Sequence, residues 1–229
     1  MSRRVFHRAG EAERRQDLIR ATLDCISEKG LEGATVREIA ARAGVTGGLI
    51  RHYFASKDQM LQAAYRETMA SMTTTAISAA GAEVGVGGAS EVKSARLRLH
   101  DFIIANVSPP VTDPRTLSLW AGFIGHIRVD PEFARIHREN YLIFRDALEE
   151  LISGFLTECG RTPAAGESRK LAIAINGLID GLWLEGSLAQ DLFDEHALPR
   201  IALESVEALL GGLRLTEALT GPDADTNKK

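Results

Sequence analysis

The 229-residue chain is short of the residues that staple, punctuate or catalyse. Its two cysteines, Cys25 and Cys159, stand far apart and supply neither a disulfide framework nor zinc-ligand spacing. Both fall at apolar-patterned positions, where a thiol packs as a small hydrophobe. Aromatic residues make up only 6% and prolines number seven, most of them placed where a helix could begin. No alternation of apolar and polar residues persists, which argues against a sheet protein. His100, His126 and His137 are scattered, with no His-Glu-x-x-His pair, and no Gly-x-Ser-x-Gly turn occurs. Neither a metal, a cofactor nor an enzyme activity is therefore expected. The Arg-rich start is followed by no apolar segment of signal-peptide type. The most apolar stretch, residues 171–184, contains Asn176 and Asp180 and reads as too short and too polar to cross a membrane. The expected location is the cytoplasm, with no membrane partner.

What the chain does have is helical periodicity almost throughout. At 45% hydrophobic it can bury a core. Net charge is −4, but residues 1–70 hold 12 Lys and Arg against 9 Asp and Glu, while the remainder holds 15 against 22. This asymmetry fits a small nucleic-acid module on an acidic body, and equally a chance fluctuation. A first helix is expected over about 11–29, stopped by Gly30. Thr35 and Glu38 form a capping box for a second, ended by Gly44, and Thr46 caps a third. Ser56 and Gln59 form another box, opening a helix that passes Met69. Residues 81–90 are Gly-rich; with no preceding strand and no Lys-Ser/Thr they read as a loop rather than a phosphate cradle. Further helices are expected over 91–106, after Asp113-Pro114, from Asp130-Pro131 to Gly160, over 167–190 and over 198–210. The reading is all-α, about nine helices. A DNA-binding unit occupies 1–56, a larger ligand-binding and dimerisation unit 57–215, and a polar, disordered tail 216–229.

Two short helices joined by a tight Gly turn make a helix-turn-helix. Ile39, Ala40, Ala43, Gly44, Val45 and Ile50 supply the small contacts, the turn and the plug. The stretch from Thr35 through Ile39-Ala40, Ala43-Gly44-Val45-Thr46, Gly48 and His52-Tyr53-Phe54 to Lys57 resembles the TetR repressor family, and the likeness spans about residues 12–65. Arg51 departs from it, standing where many members have Tyr. The resemblance implies DNA contacts from Arg37, Thr46, Gly47, Gly48, Leu49, Arg51, His52, Tyr53 and Lys57. Arg37 suits a bidentate guanine contact, the glycines allow close backbone approach, Leu49 suits a thymine methyl, and His52, Tyr53 and Lys57 suit phosphates. The competing reading packs His52 and Tyr53 between helices and pairs Arg37 with an acid. Arg3, Arg4, Arg8, Arg14 and Arg15 form either a DNA-contacting arm or a solvated tail.

The body resembles the BetI-type branch of the same family, through Leu117-Ser-Leu-Trp120-Ala-Gly-Phe123, Asp130-Pro131, and Gly177-Leu-Ile-Asp180-Gly181-Leu-Trp183-Leu-Glu-Gly186. Ile124 stands where a second Trp would suit the choline-responsive members. The resemblance implies a repressor that binds a palindromic operator on double-stranded DNA as a homodimer and is released by a small-molecule inducer. Trp120, Phe123, Tyr141, Phe144 and Trp183, with Asn176 and Asp180, would line a pocket for a cation, choline-like or polyamine. Aromatics at this spacing also suit a plain core. Gly177 and Gly181, one helical turn apart, with Ile201, Val206 and Leu209, suit a two-fold interface, or else tight packing within the chain. An architectural DNA protein would have no use for so large an apolar body.

Overall fold

The computed structural model describes residues 2–81, 93–188, 193–194 and 196–216, with side chains from Gly10 onward. Every regular element among them is an α-helix: α1 (Ser2–Gly33), α2 (Val36–Ala43), α3 (Gly47–Tyr53), α4 (Lys57–Ala79), α5 (Ala95–Asn106), α6 (Pro114–Ile124), α7 (Pro131–Glu158), α8 (Glu167–Leu188) and α9 (Ala197–Leu209). The all-α expectation holds. Most of the Gly-rich 81–90 stretch, the tail beyond Thr216 and the side chains of Arg3, Arg4 and Arg8 lie outside the described residues.

Local chemistry sets the boundaries of the first four helices. The first begins earlier than its periodicity suggests, at Ser2, and Gly30 (φ 70°, ψ 174°) leaves the helical conformation as expected, separating the long helix from a short helical turn that ends at Gly33. The Thr35 hydroxyl accepts from the Glu38 amide at 3.2 Å. The reciprocal half of that box is absent, because the Glu38 carboxylate is taken by Lys29 Nζ at 2.5 Å. At Ser56 the box is nearly complete: its hydroxyl accepts from the Gln59 amide at 3.1 Å, and Gln59 Oε1 reaches back to the Ala55 amide at 2.7 Å. Gly44 adopts φ 64°, the left-handed conformation that turns the chain from α2 to α3.

One apolar core runs through the molecule, from Leu18, Ile39, Ile50 and Phe54 at the head to Leu148, Phe155 and Ile175 in the body. The 23-residue α4 joins the two, spanning roughly 35 Å at helical rise. It packs on α1 and, further along, on α5, α6 and α7. Residues 171–184 belong to a longer helix, the 22-residue α8, which is long and apolar enough to cross a bilayer by length and composition only. It packs against α6, α7 and α9.

Candidate nucleic-acid interface and ligand cavity

The head is a small hydrophobic wedge with an outward-facing polar rim. Ile39, Ile50 and Phe54 are buried, and Val45 packs against them. Thr46 caps α3 by accepting from the Leu49 amide at 3.3 Å. This leaves Arg37 exposed at the start of α2, and Thr46, Gly48, Arg51 and His52 exposed along α3, with Gly47, Leu49 and Tyr53 half-buried. Neither Arg37 nor Arg51 makes a hydrogen bond or ion pair among the described residues, so the competing reading, in which Arg37 pairs with an acid, finds no support there. By contrast, Arg42 is held by Glu28 and lies 3.9 Å from Asp24. His52 and Tyr53 meet edge to face at 5.2 Å. Lys57 donates to the Leu31 carbonyl at 3.2 Å, which leaves two of its three N–H bonds for a phosphate. Arg14 pairs with Asp17, and Arg15 lies 5.0 Å over the Phe54 ring, so these two belong to the head and not to a free arm.

Gly47 and Gly48 open α3 as its first two residues, where Ala would fit the helical backbone and would stabilise by roughly 0.4–1 kcal/mol by restricting the unfolded chain. A Cβ at Gly47 would meet nothing within 4 Å, and one at Gly48 only the Thr46 hydroxyl at 3.7 Å. Nothing inside the chain requires these glycines.

In the body, five helices converge on one small cavity of about 30 Å³, room for about two waters. Trp120, Tyr141, Phe144, Asn176, Asp180 and Trp183 all line it. Phe123 does not: it is fully buried against Tyr65 and Phe133, 4.8 and 5.7 Å away, which corrects its assignment to the pocket. The remaining walls, Met69, Met72, Thr73, Asn106, His137 and Asn140, were missed by sequence reasoning. Asn140 carried a signal, a polar residue in the apolar row between Ile136 and Phe144; Met69 and Met72 carried none.

Asp180 dominates the cavity electrostatically. Burial pushes its carboxyl up to about 6, against the opposing pull of the Asn176 amide, which donates to Oδ2 at 3.1 Å. No Lys, Arg or His pairs with it among the described residues. Burial, and secondarily the charge of Asp180, pushes the Tyr65 hydroxyl well above its usual range. That hydroxyl lies 2.8 Å from His137 Nδ1, and burial holds the imidazole below its ordinary value. Trp120 and Trp183 meet edge to face at 5.4 Å, and the Trp183 indole donates to the Asn106 carbonyl at 2.6 Å. A half-buried acid among aromatic rings with no cation of its own among the described residues suits a cationic guest. A larger groove of about 520 Å³ between α7 and the start of α8 is open to solvent. Its Asp146 and Glu149 share one cation, Arg169, at 2.7 and 2.8 Å, and its acids face open solvent rather than the enclosing walls of the inner cavity.

The outer face of α8 carries Ile173, Gly177, Gly181, Leu184 and Leu188 in one row, with Ile173, Leu184 and Leu188 at 45%, 47% and 77% exposure. A Cβ at Gly177 or Gly181 would meet nothing within 4 Å, so these glycines serve no packing inside the chain. On α9, Leu209 is exposed and Ile201 half-buried. Val206 is corrected: at 0% exposure it belongs to the chain's own core and reaches no second subunit.

Residues 18–64 match the family described as bacterial regulatory proteins, tetR family, and residues 95–211 match BetI-type transcriptional repressor, C-terminal. The HTH-type transcriptional regulator BetI of Burkholderia mallei is 31% identical over 199 residues, covering 86% of this chain and 93% of its own length. A solved transcriptional regulator from Pseudomonas aeruginosa superposes with a TM-score of 0.73 at 31% identity, over 88% of this chain and 90% of that one. A regulator from Saccharomonospora viridis, solved in complex with choline, shares the fold at TM-score 0.67 and 16% identity, over 87% of this chain and 96% of that one.

Proposed function

The chain belongs to the TetR family of bacterial regulatory proteins, with a BetI-type C-terminal domain, and from that membership we propose that it is a dimeric repressor released from its operator by a small cationic inducer. That it is a transcriptional regulator and not an enzyme follows from the family. The residues that meet DNA, the dimer, the inducer and the direction of regulation are our reading.

One observation carries the reading: α4 and α6 each touch both functional regions. The first turns of α4 lie against the head, where Lys57 bonds Leu31, and its later turns bring Met69, Met72 and Thr73 to the cavity. On α6, Trp120 walls the cavity while Arg115 pairs with Asp24 on α1, to which Arg42 of α2 is also drawn. A guest wider than the cavity must displace walls that belong to these two helices. The heads of a dimer would then leave the spacing that successive major grooves demand, roughly 34–36 Å. The dimer itself rests on the apolar row of α8 with Leu209 of α9, a self-complementary surface of the kind a two-fold axis needs. The guest is a cation because Asp180 is half-buried at the cavity without a counter-ion among the described residues. The choline held by the Saccharomonospora regulator is a precedent for that chemistry on this fold.

Selection from a random duplex pool, followed by footprinting, tests the proposal. A palindrome protected over two half-sites one helical turn apart, and released by a small ammonium compound, is the expected result. Protection without sequence preference, or none, would contradict it.

A further inference from the structure

The carboxylate and amide oxygens of the side chains around Asp180 receive one hydrogen bond among the described residues, from Asn176, and this narrows the class of guest. Asn106 donates its Nδ2 to the Phe102 carbonyl at 2.8 Å, Asn140 donates to the Ile136 carbonyl at 2.9 Å, and Asn176 donates to the Asp180 carboxylate. Each partner is itself an acceptor, so the identity of the amide nitrogen is fixed by chemistry and a flipped amide would set oxygen against oxygen. The three Oδ1 atoms accept no hydrogen bond among the described residues. That of Asn106 is fully enclosed as well as unpartnered, on a side chain with 0% exposure. A buried acceptor left so is uncommon and costly, and here its residue borders the cavity, with the oxygen itself closed off until the wall shifts. Two donors are already used: the indole of Trp183 by the Asn106 carbonyl, and the Tyr65 hydroxyl with His137 Nδ1. The hydroxyls of Thr73 and Tyr141 can turn to accept. Against these stand the second N–H of each asparagine amide, which can only meet an uncharged or anionic part of a guest, and one ring nitrogen, Nε2 of His137.

Resting on the reading of the cavity as a cation site, we propose that its guest is an ammonium that keeps its own N–H bonds, the end of a primary amine or polyamine, in preference to a quaternary ammonium. An –NH3⁺ group offers three donors to the carboxylate and the amide oxygens. A trimethylammonium group offers none and would leave the Asn106 acceptor enclosed and unmet. Size points the same way. An –NH3⁺ group is close to a water in bulk and enters about 30 Å³ directly, whereas three methyl groups require the walls to part.

Titration calorimetry of the full-length protein with two matched pairs decides the matter: ethanolamine against choline, and putrescine against its bis(trimethylammonium) analogue. The N–H-bearing member of each pair is expected to bind about 10-fold tighter or more, the usual penalty for a buried acceptor left unpaired. Asn106→Leu and Asn140→Leu, similar in shape but without the acceptor, are expected to shrink that ratio. Should either variant fail to fold, the wild-type ratio decides alone. Equal or tighter binding of the methylated members to the wild type overturns the proposal and leaves the cation reading standing. No binding by any of the four overturns both.

Discussion

Around α3 the groups proposed to meet DNA are exposed or half-buried and carry no ion pair among the described residues, whereas around Asp180 the groups proposed to meet an inducer are buried or half-buried and have spent part of their donors on the protein itself. The head leaves its specificity outside: Arg37 and Arg51 wait in solvent, and two helical glycines clear space that nothing in the chain occupies. The cavity stores its specificity inside, as an unpaired carboxylate and at least one enclosed amide oxygen. The first arrangement loses some helix propensity. The second bears the larger penalty of burying a charge without its partner. Substitutions should therefore act in opposite directions on folding and on binding, and the cavity should show the greater contrast.

Asp180→Asn makes that contrast sharpest. It removes the charge the guest needs, so affinity for a small ammonium should fall about 100-fold or more. The ligand-free protein should gain stability on the order of 1 kcal/mol, because the folded carboxyl sits above its unfolded value and its burial costs most at neutral pH. Calorimetry and thermal melts read both effects. The pH dependence follows in sign. Ammonium affinity should be flat above about pH 7 and decline as pH falls through about 6, when Asp180 takes up a proton. Protonation of His137 below that adds repulsion in the same direction, and Tyr65 stays neutral throughout. An Asp180→Asn protein that bound the ammonium normally would break the comparison at its strongest point.

The outer face of α8 and the core of α9 give the next contrast. Leu184→Glu should convert the dimer to a monomer by light scattering with little change in the fold, since the side chain already stands in solvent. Val206→Ala should instead lower stability by about 1–3 kcal/mol and leave the oligomeric state alone. At the head, Arg37→Ala should cost roughly 1–3 kcal/mol of operator binding if the guanidinium reads a base. Ammonium binding by the free protein should not change. The smallest effect concerns Gly47→Ala, which should stabilise the free protein by about 0.4–1 kcal/mol and yet weaken operator binding. A substitution that improved both would show that no nucleic acid approaches that backbone.

The two regions also differed in how well they could be read from residues alone. The head is built from neighbours in sequence, so Gly44, the caps at Thr35, Thr46 and Ser56, and the small Ala40 and Ala43 declared it directly. Even there the partner of Glu38 was missed, because Lys29 arrives from the preceding helix and outcompetes the local cap. The cavity is assembled from α4, α5, α6, α7 and α8, and helical periodicity does not tell which aromatic on an inward face meets a void. Trp120 and Phe123 are three residues apart on α6; one lines the cavity and the other fills the core against Tyr65. Val206 was misplaced for the same reason, since periodicity marks an apolar face without saying whether the chain itself or a second copy covers it.

The claim that joins the two regions is that one site's occupant disfavours the other's. Coupling of this kind is reciprocal, and typical values of 1–3 kcal/mol correspond to roughly 5- to 150-fold in affinity. The measurement is the dissociation constant of putrescine for the free dimer and for the dimer saturated with its selected operator, at one salt concentration and pH 7.5. Binding about 10-fold weaker on the operator complex is the expected result. Equal affinity in the two states would contradict it, leaving a DNA-binding head and a cation-binding body that do not communicate.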